Sequence, residues 1–129
     1  MPSSSEWLAE EQKLHQAQRF ADAESLYRRV IDADANHVVA WYHLGLVCLA
    51  QHKLLEAADG FQAVLAITPD NVDALTQLGI VLAQQNRLSE AVAKFRDAIA
   101  LKPQYAKAHN NLGVALTQMG QRDEGLACY

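Results

Sequence analysis

Three polar side chains stand at one phase of a 34-residue spacing: His43, Gln77 and Asn111. Gln and Asn each carry a hydrogen-bond donor and an acceptor, the two groups that a peptide backbone presents. A series of such amides can hold an extended chain without reading its side chains. Nothing comparable points to catalysis. The five histidines, His15, His37, His43, His52 and His109, include no pair four residues apart, and neither cysteine joins them at metal-ligand spacing. No nucleophile elbow, phosphate loop or nucleotide fingerprint is present. The expectation is a protein that is not an enzyme and takes no metal or cofactor. Cys48 reads as a small core residue and Cys128 as a plain helix thiol.

Composition narrows the partners. The net charge of −4 comes with no basic patch, which argues against nucleic acid. No apolar run approaches the roughly 18 residues needed to span a bilayer, so no membrane partner is expected. The stretch from Met1 to Glu11 is polar and acidic, unlike a signal peptide. Two distant cysteines imply no disulfide scaffold, and a reducing, cytoplasmic setting is the default expectation.

The elements that would position the amides follow from a fixed period. Tyr27, Phe61, Phe95 and Tyr129 are 34 residues apart, as are Gly45, Gly79 and Gly113, Leu44, Leu78 and Leu112, Pro69 and Pro103, and Trp7 and Trp41. Such a period means stacked copies of one small unit. In the copy at 38–71, a segment from Val38 to about Ala50 has helical periodicity with apolar residues on more than one face. The polar break Gln51-His52-Lys53 follows, then an amphipathic segment from Leu54 to Ile67. Thr68-Pro69-Asp70-Asn71 ends it, because a residue before proline is disfavoured in a helix. Each unit therefore predicts a first helix, a short turn, a second helix and another turn.

The recurring residues fit that hairpin. A glycine inside a helix costs about 1 kcal/mol relative to Ala. Its return at one phase predicts close approach of a second helix, with Ala57 and Ala91 where the backbones meet and Phe61 and Phe95 beyond. Asp22, Glu56, Glu90 and Glu124 recur in the first turn of the expected second helices, and Arg19, Lys53 and Arg87 just after the first ones.

These residues resemble the tetratricopeptide repeat, whose 34-residue unit carries W-x₂-L-G-x₂-Y, then A-x₃-F, then Ala and Pro. Trp41, Leu44, Gly45, Ala57, Phe61 and Pro69 match it in the second copy. Leu78, Gly79, Ala91, Phe95, Ala98 and Pro103 match in the third, with Leu75 in place of Trp. Leu112, Gly113 and Tyr129 match in the fourth, where Gly125 replaces Ala. The first copy keeps Trp7, Ala23 and Tyr27 but has Glu10 and Glu11 for Leu-Gly. The resemblance implies an all-α, right-handed superhelical solenoid of antiparallel helix pairs. The chain is expected to form one domain, 1–129, with units of about 4–37, 38–71, 72–105 and a truncated 106–129.

The same resemblance places a ligand groove along the first helices. The groove positions it implies include Tyr42, His43 and Leu46, then Asp73, Gln77 and Ile80, then Lys107, Asn110, Asn111 and Gln118. The implied partner is an extended peptide or protein segment. The carboxylate clamp of chaperone-binding arrays is not matched, since only Lys107 and Asn111 resemble its pieces and both lie in one unit. Ala108-His109-Asn110-Asn111-Leu112-Gly113 resembles the arrays attached to protein O-glycosyltransferases, which raises an alternative reading as the recognition arm of a larger enzyme. A further alternative is homodimerisation. The fourth copy's second helix is expected to begin near Gln121 and to stop at Tyr129, leaving an open face with Gly113, Leu116, Gly125 and Tyr129 as contact candidates.

Overall fold

The computed structural model describes the backbone of residues 4–127 and the side chains of residues 19–121. Six helices and no strand occur among them: α1 (Ser4–Ala33), α2 (Val38–Ala50), α3 (Leu54–Ile67), α4 (Val72–Gln84), α5 (Leu88–Leu101) and α6 (Ala106–Ala127). α2 pairs with α3 and α4 with α5, and the extensive packing joins successive helices, plus α4 with α6. No described helix is long and apolar enough to cross a membrane.

The two central hairpins owe their boundaries to local chemistry. His37 caps α2, its Nδ1 accepting from the Ala40 N–H at 3.1 Å, and Asn71 caps α4, its Oδ1 accepting from Ala74 at 3.0 Å. α2 closes when His52 turns to φ 61°, which lets the Lys53 N–H reach the Cys48 carbonyl at 2.8 Å and the His52 N–H reach that of Leu49 at 2.9 Å. α4 closes the same way, with Asn86 at φ 63° and Arg87 donating to Leu82 at 2.8 Å. This left-handed closure satisfies carbonyls that a helix end would leave bare. α3 and α5 end immediately before Thr68-Pro69 and Lys102-Pro103.

The core runs through both hairpins, with Leu44, Cys48, Ala57, Phe61, Leu78, Val81, Ala91 and Phe95 in one buried cluster. The register glycines are where rings lie. A methyl on Gly45 would stand 2.7 Å from Phe61 Cε1, and one on Gly79 would meet the Phe95 ring even more closely. A close backbone approach is made at Gly60, where an added Cβ would lie 3.0 Å from the Gly45 Cα, and Ala57 is fully buried beside it.

The two outer units depart from the expected hairpin. The first has no turn near Arg19: α1 is one continuous helix of 30 residues. Asp22 therefore does not open a second helix. The fourth unit has no break before Gln121, since α6 runs unbroken for 22 residues through Gly120. In the central units the second helix folds back because a phenylalanine docks on a glycine of the first. In the fourth, Gly113 has no atom within 4 Å of an added Cβ among the described residues.

Helix α1 is tied to α2 at its C-terminal half. Glu24 accepts from Lys53 Nζ at 3.2 Å through both carboxylate oxygens and from Cys48 Sγ at 3.3 Å. The Trp41 indole N–H donates to the Ala35 carbonyl at 2.8 Å. The Tyr27 ring stands edge-on to His43, with centroids 5.6 Å apart.

Candidate functional site

The residues that the sequence singled out fall into two recesses with a buried stretch between them. The first recess, about 160 Å³, is bounded by Tyr42 and His43 of α2, Asp73 of α4, and Val38, Val39 and Asn71 beside them. The second, about 220 Å³, lies between Ile80 of α4, Phe95 of α5 and Asn111, Val114 and Gln118 of α6. Val39 and Val114 present apolar surface here, at 60% and 58% exposure.

Gln77 and Leu46 belong to the stretch between. Gln77 is only 7% exposed and Leu46 packs against the central core. The amide of Gln77 lies close enough to the Tyr42 hydroxyl to act on its titration. Thr76 beside it is fully buried and turned back on its own helix, donating to the Val72 carbonyl at 2.9 Å. Lys107 and Asn110 are exposed on α6, and Asn110 borders a third hollow with His109, Gly113 and Thr117. Asn111 is partly occupied, since its side-chain N–H donates to the Lys107 carbonyl at 2.9 Å and its oxygen is left to accept. His43 Nδ1 is buried with no hydrogen-bond partner among the described residues.

Electrostatics gather around the first recess. Burial pushes the Tyr42 hydroxyl above its ordinary value, the Asp73 charge adds to that, and the Gln77 amide opposes it. Tyr105 donates to Asp73 Oδ1 at 2.5 Å. Burial, then that bond, push the Tyr105 hydroxyl up to about 12. Both phenols are therefore neutral donors at physiological pH. Among the described residues no group of three or more His, Cys, Asp or Glu is placed to hold a metal ion. Cys48 is fully buried, and burial with the Glu24 bond holds its thiol up to about 11, far from a nucleophile's range.

Tyr105 is the participant that sequence reasoning missed. A signal for it exists: it stands in the register of the capping residues His37 and Asn71. A phenol cannot cap as a short polar side chain does, and its hydroxyl reaches back to the first turn of α4 instead.

Residues 14–72 match a family model described as tetratricopeptide repeat, and residues 81–120 match a second, described as TPR repeat. The chain belongs to the tetratricopeptide repeat family. Solved structures agree on the TPR fold. The first TPR of Spaghetti (RPAP3), bound to the HSP90 peptide SRMEEVD, superposes with a TM-score of 0.77 at 18% identity, over 87% of this chain and 89% of that one. YrrB, described as a TPR protein with an unusual peptide-binding site, gives 0.71 at 25% identity over 90% of this chain and 60% of that one. The MamA RS-1 ArsTM double mutant gives 0.76 at 24% identity over 83% of this chain. This TPR chain spans 60% of the length of that MamA structure. A sequence search of curated proteins found no match. The all-α solenoid of helix pairs is thus the TPR architecture.

Proposed function

We propose that the chain is a single-domain, non-catalytic interaction module that holds an extended peptide or protein segment along the faces of α2, α4 and α6. The observation that carries this reading is the paired recesses, each with hydrogen-bonding side chains over an apolar wall: Tyr42 and Asp73 beside Val39, and Asn111 and Gln118 beside Ile80 and Val114. Neutral phenol and amide groups suit main-chain amides, and the exposed valines suit alternate side chains of an extended ligand. Two of the structurally similar proteins are described with peptides, which supports the class of ligand and not its sequence. The near absence of clamp residues argues against an acidic peptide such as the SRMEEVD bound by Spaghetti. A peptide library screened on the immobilised chain, followed by calorimetry, tests the proposal. The affinity of the best binder should fall on the order of tenfold or more with Tyr42→Ala and with Asn111→Ala. Unchanged affinity in both variants would remove the groove reading.

A second reading, self-association, is favoured by a separate observation. Among the described residues nothing covers the face of α6 around Gly113, and Leu116 is 41% exposed. The corresponding Cys48 and Leu82 are at 0% and 3%.

A further inference from the structure

The recess between the starts of α2 and α4 is bounded entirely by described residues, Val38, Val39, Tyr42, His43, Asn71 and Asp73. Its walls are of two kinds. Val38 and Val39 of α2 give it apolar surface, with Val39 60% exposed. Asp73 of α4 gives it a solvent-exposed carboxylate.

That carboxylate is half used. Oδ1 accepts from the Tyr105 hydroxyl at 2.5 Å, and Oδ2 has no donor among the described residues. No described cation neutralises it either. The salt bridges among the described residues engage Glu24 and Glu90. Lys102 Nζ lies over the Tyr105 ring, 5.2 Å from its centroid. The negative charge of Asp73 reaches across the recess, where it adds to the upward push on the Tyr42 hydroxyl.

These walls select what can enter. An apolar side chain would strip water from Asp73 and return no partner to it. An acidic side chain would meet a like charge. A lysine or arginine satisfies both walls at once, its methylene stem on the valines and its charged head on the carboxylate and the Tyr42 hydroxyl oxygen. The register limits this to one place in the groove. The residues 34 positions before and after Asp73 are Val39 and Lys107, so the carboxylate is not repeated from unit to unit.

We propose that this recess is a subsite for a basic side chain, in which Asp73 pairs with a lysine or arginine of the extended segment while Val38 and Val39 hold its stem. The proposal rests on the groove reading and adds the chemistry of one ligand position.

Selection of a phage-displayed random peptide library on the full chain tests it. Wild type is expected to enrich lysine or arginine at one peptide position. Asp73→Asn keeps an acceptor for Tyr105 while removing the charge, and should abolish that preference. Asp73→Lys should turn it toward Asp and Glu. In calorimetry with the best wild-type peptide, replacing the basic residue by norleucine should weaken binding to wild type by about threefold to tenfold, and should leave binding to Asp73→Asn unchanged. Urea unfolding confirms that each variant is folded. A basic preference that survives Asp73→Asn overturns the subsite. Enriched peptides with no basic preference overturn the subsite and leave the groove reading standing. A library from which wild type enriches nothing overturns both.

Discussion

The Tyr105 hydroxyl donates a 2.5 Å hydrogen bond to Asp73 Oδ1, joining the segment that leads into α6 to the first turn of α4. The bond ties the end of the 72–105 unit to its beginning, made by the residue in the register where His37 and Asn71 provide a local cap. Tyr105→Phe should therefore lower stability by about 0.5–1.5 kcal/mol. Asp73→Asn should cost no more, and the double variant should cost less than the sum of the two. Urea unfolding of the four proteins measures the coupling.

One substitution at three equivalent glycines should give two signs. Gly45→Ala and Gly79→Ala put a methyl into the Phe61 and Phe95 rings, and overpacking of that kind costs about 1–3 kcal/mol. This outweighs the helix propensity gained, about 1 kcal/mol. Gly113→Ala meets nothing among the described residues and should stabilise the monomer by up to about 1 kcal/mol. Thermal melts at low protein concentration distinguish the two cases.

Alkaline stability draws on the buried Cys48 thiol and the partly exposed Tyr105 hydroxyl. The Cys48 thiol has an ordinary value of 9.0 and is pushed up to about 11 by burial and by its bond to Glu24. Above pH 9 the unfolded chain releases this proton while the folded chain keeps it. The contribution is thus complete below about pH 9 and lost as pH rises through 11. Tyr105, held up to about 12, extends the decline upward. Denaturant midpoints should fall between pH 9 and 12, and Cys48→Ala should remove the earlier part of the fall. Native Cys48 should also resist alkylation at neutral pH until the chain is unfolded.

Glu24 has the opposite sense. Burial raises its carboxyl, but the bonds from Cys48 and Lys53 outweigh this and hold it below its ordinary value of 4.5. Its contribution is present above that value and lost as pH falls below it. Glu24→Gln should loosen α1 from α2 and flatten the acid limb of the stability curve. Hydrogen exchange in α1 should speed up while α4 and α5 keep their protection.

The central helices were legible because every local signal there agrees with packing. The expected spans 38–50 and 54–67 coincide with α2 and α3, since polar turns and Thr68-Pro69 end segments that the core also wants ended. The outer units were not legible from periodicity. The turn after a first helix is closed by a left-handed residue, His52 or Asn86, and is held by a ring docking on a glycine. Gly120 offers the first of these more readily than His52 does, yet α6 runs straight through it. Local permission to turn is therefore not sufficient by itself. Of the positions that the resemblance placed along the first helices, Tyr42, Asp73, Asn111 and Gln118 border open recesses, while Gln77 is buried between α2 and its neighbours, which spacing alone does not reveal.

The pattern of packing, successive helix on successive helix, has a mechanical consequence. With few bonds between distant parts of the chain, a pull between its ends is borne by one interface at a time. The outer helices α1 and α6 lack a folded-back partner of their own and should release at lower force than the two hairpins between them. Held by its ends, the molecule would behave as a short compliant spring with a stiff centre from Val38 to Leu101.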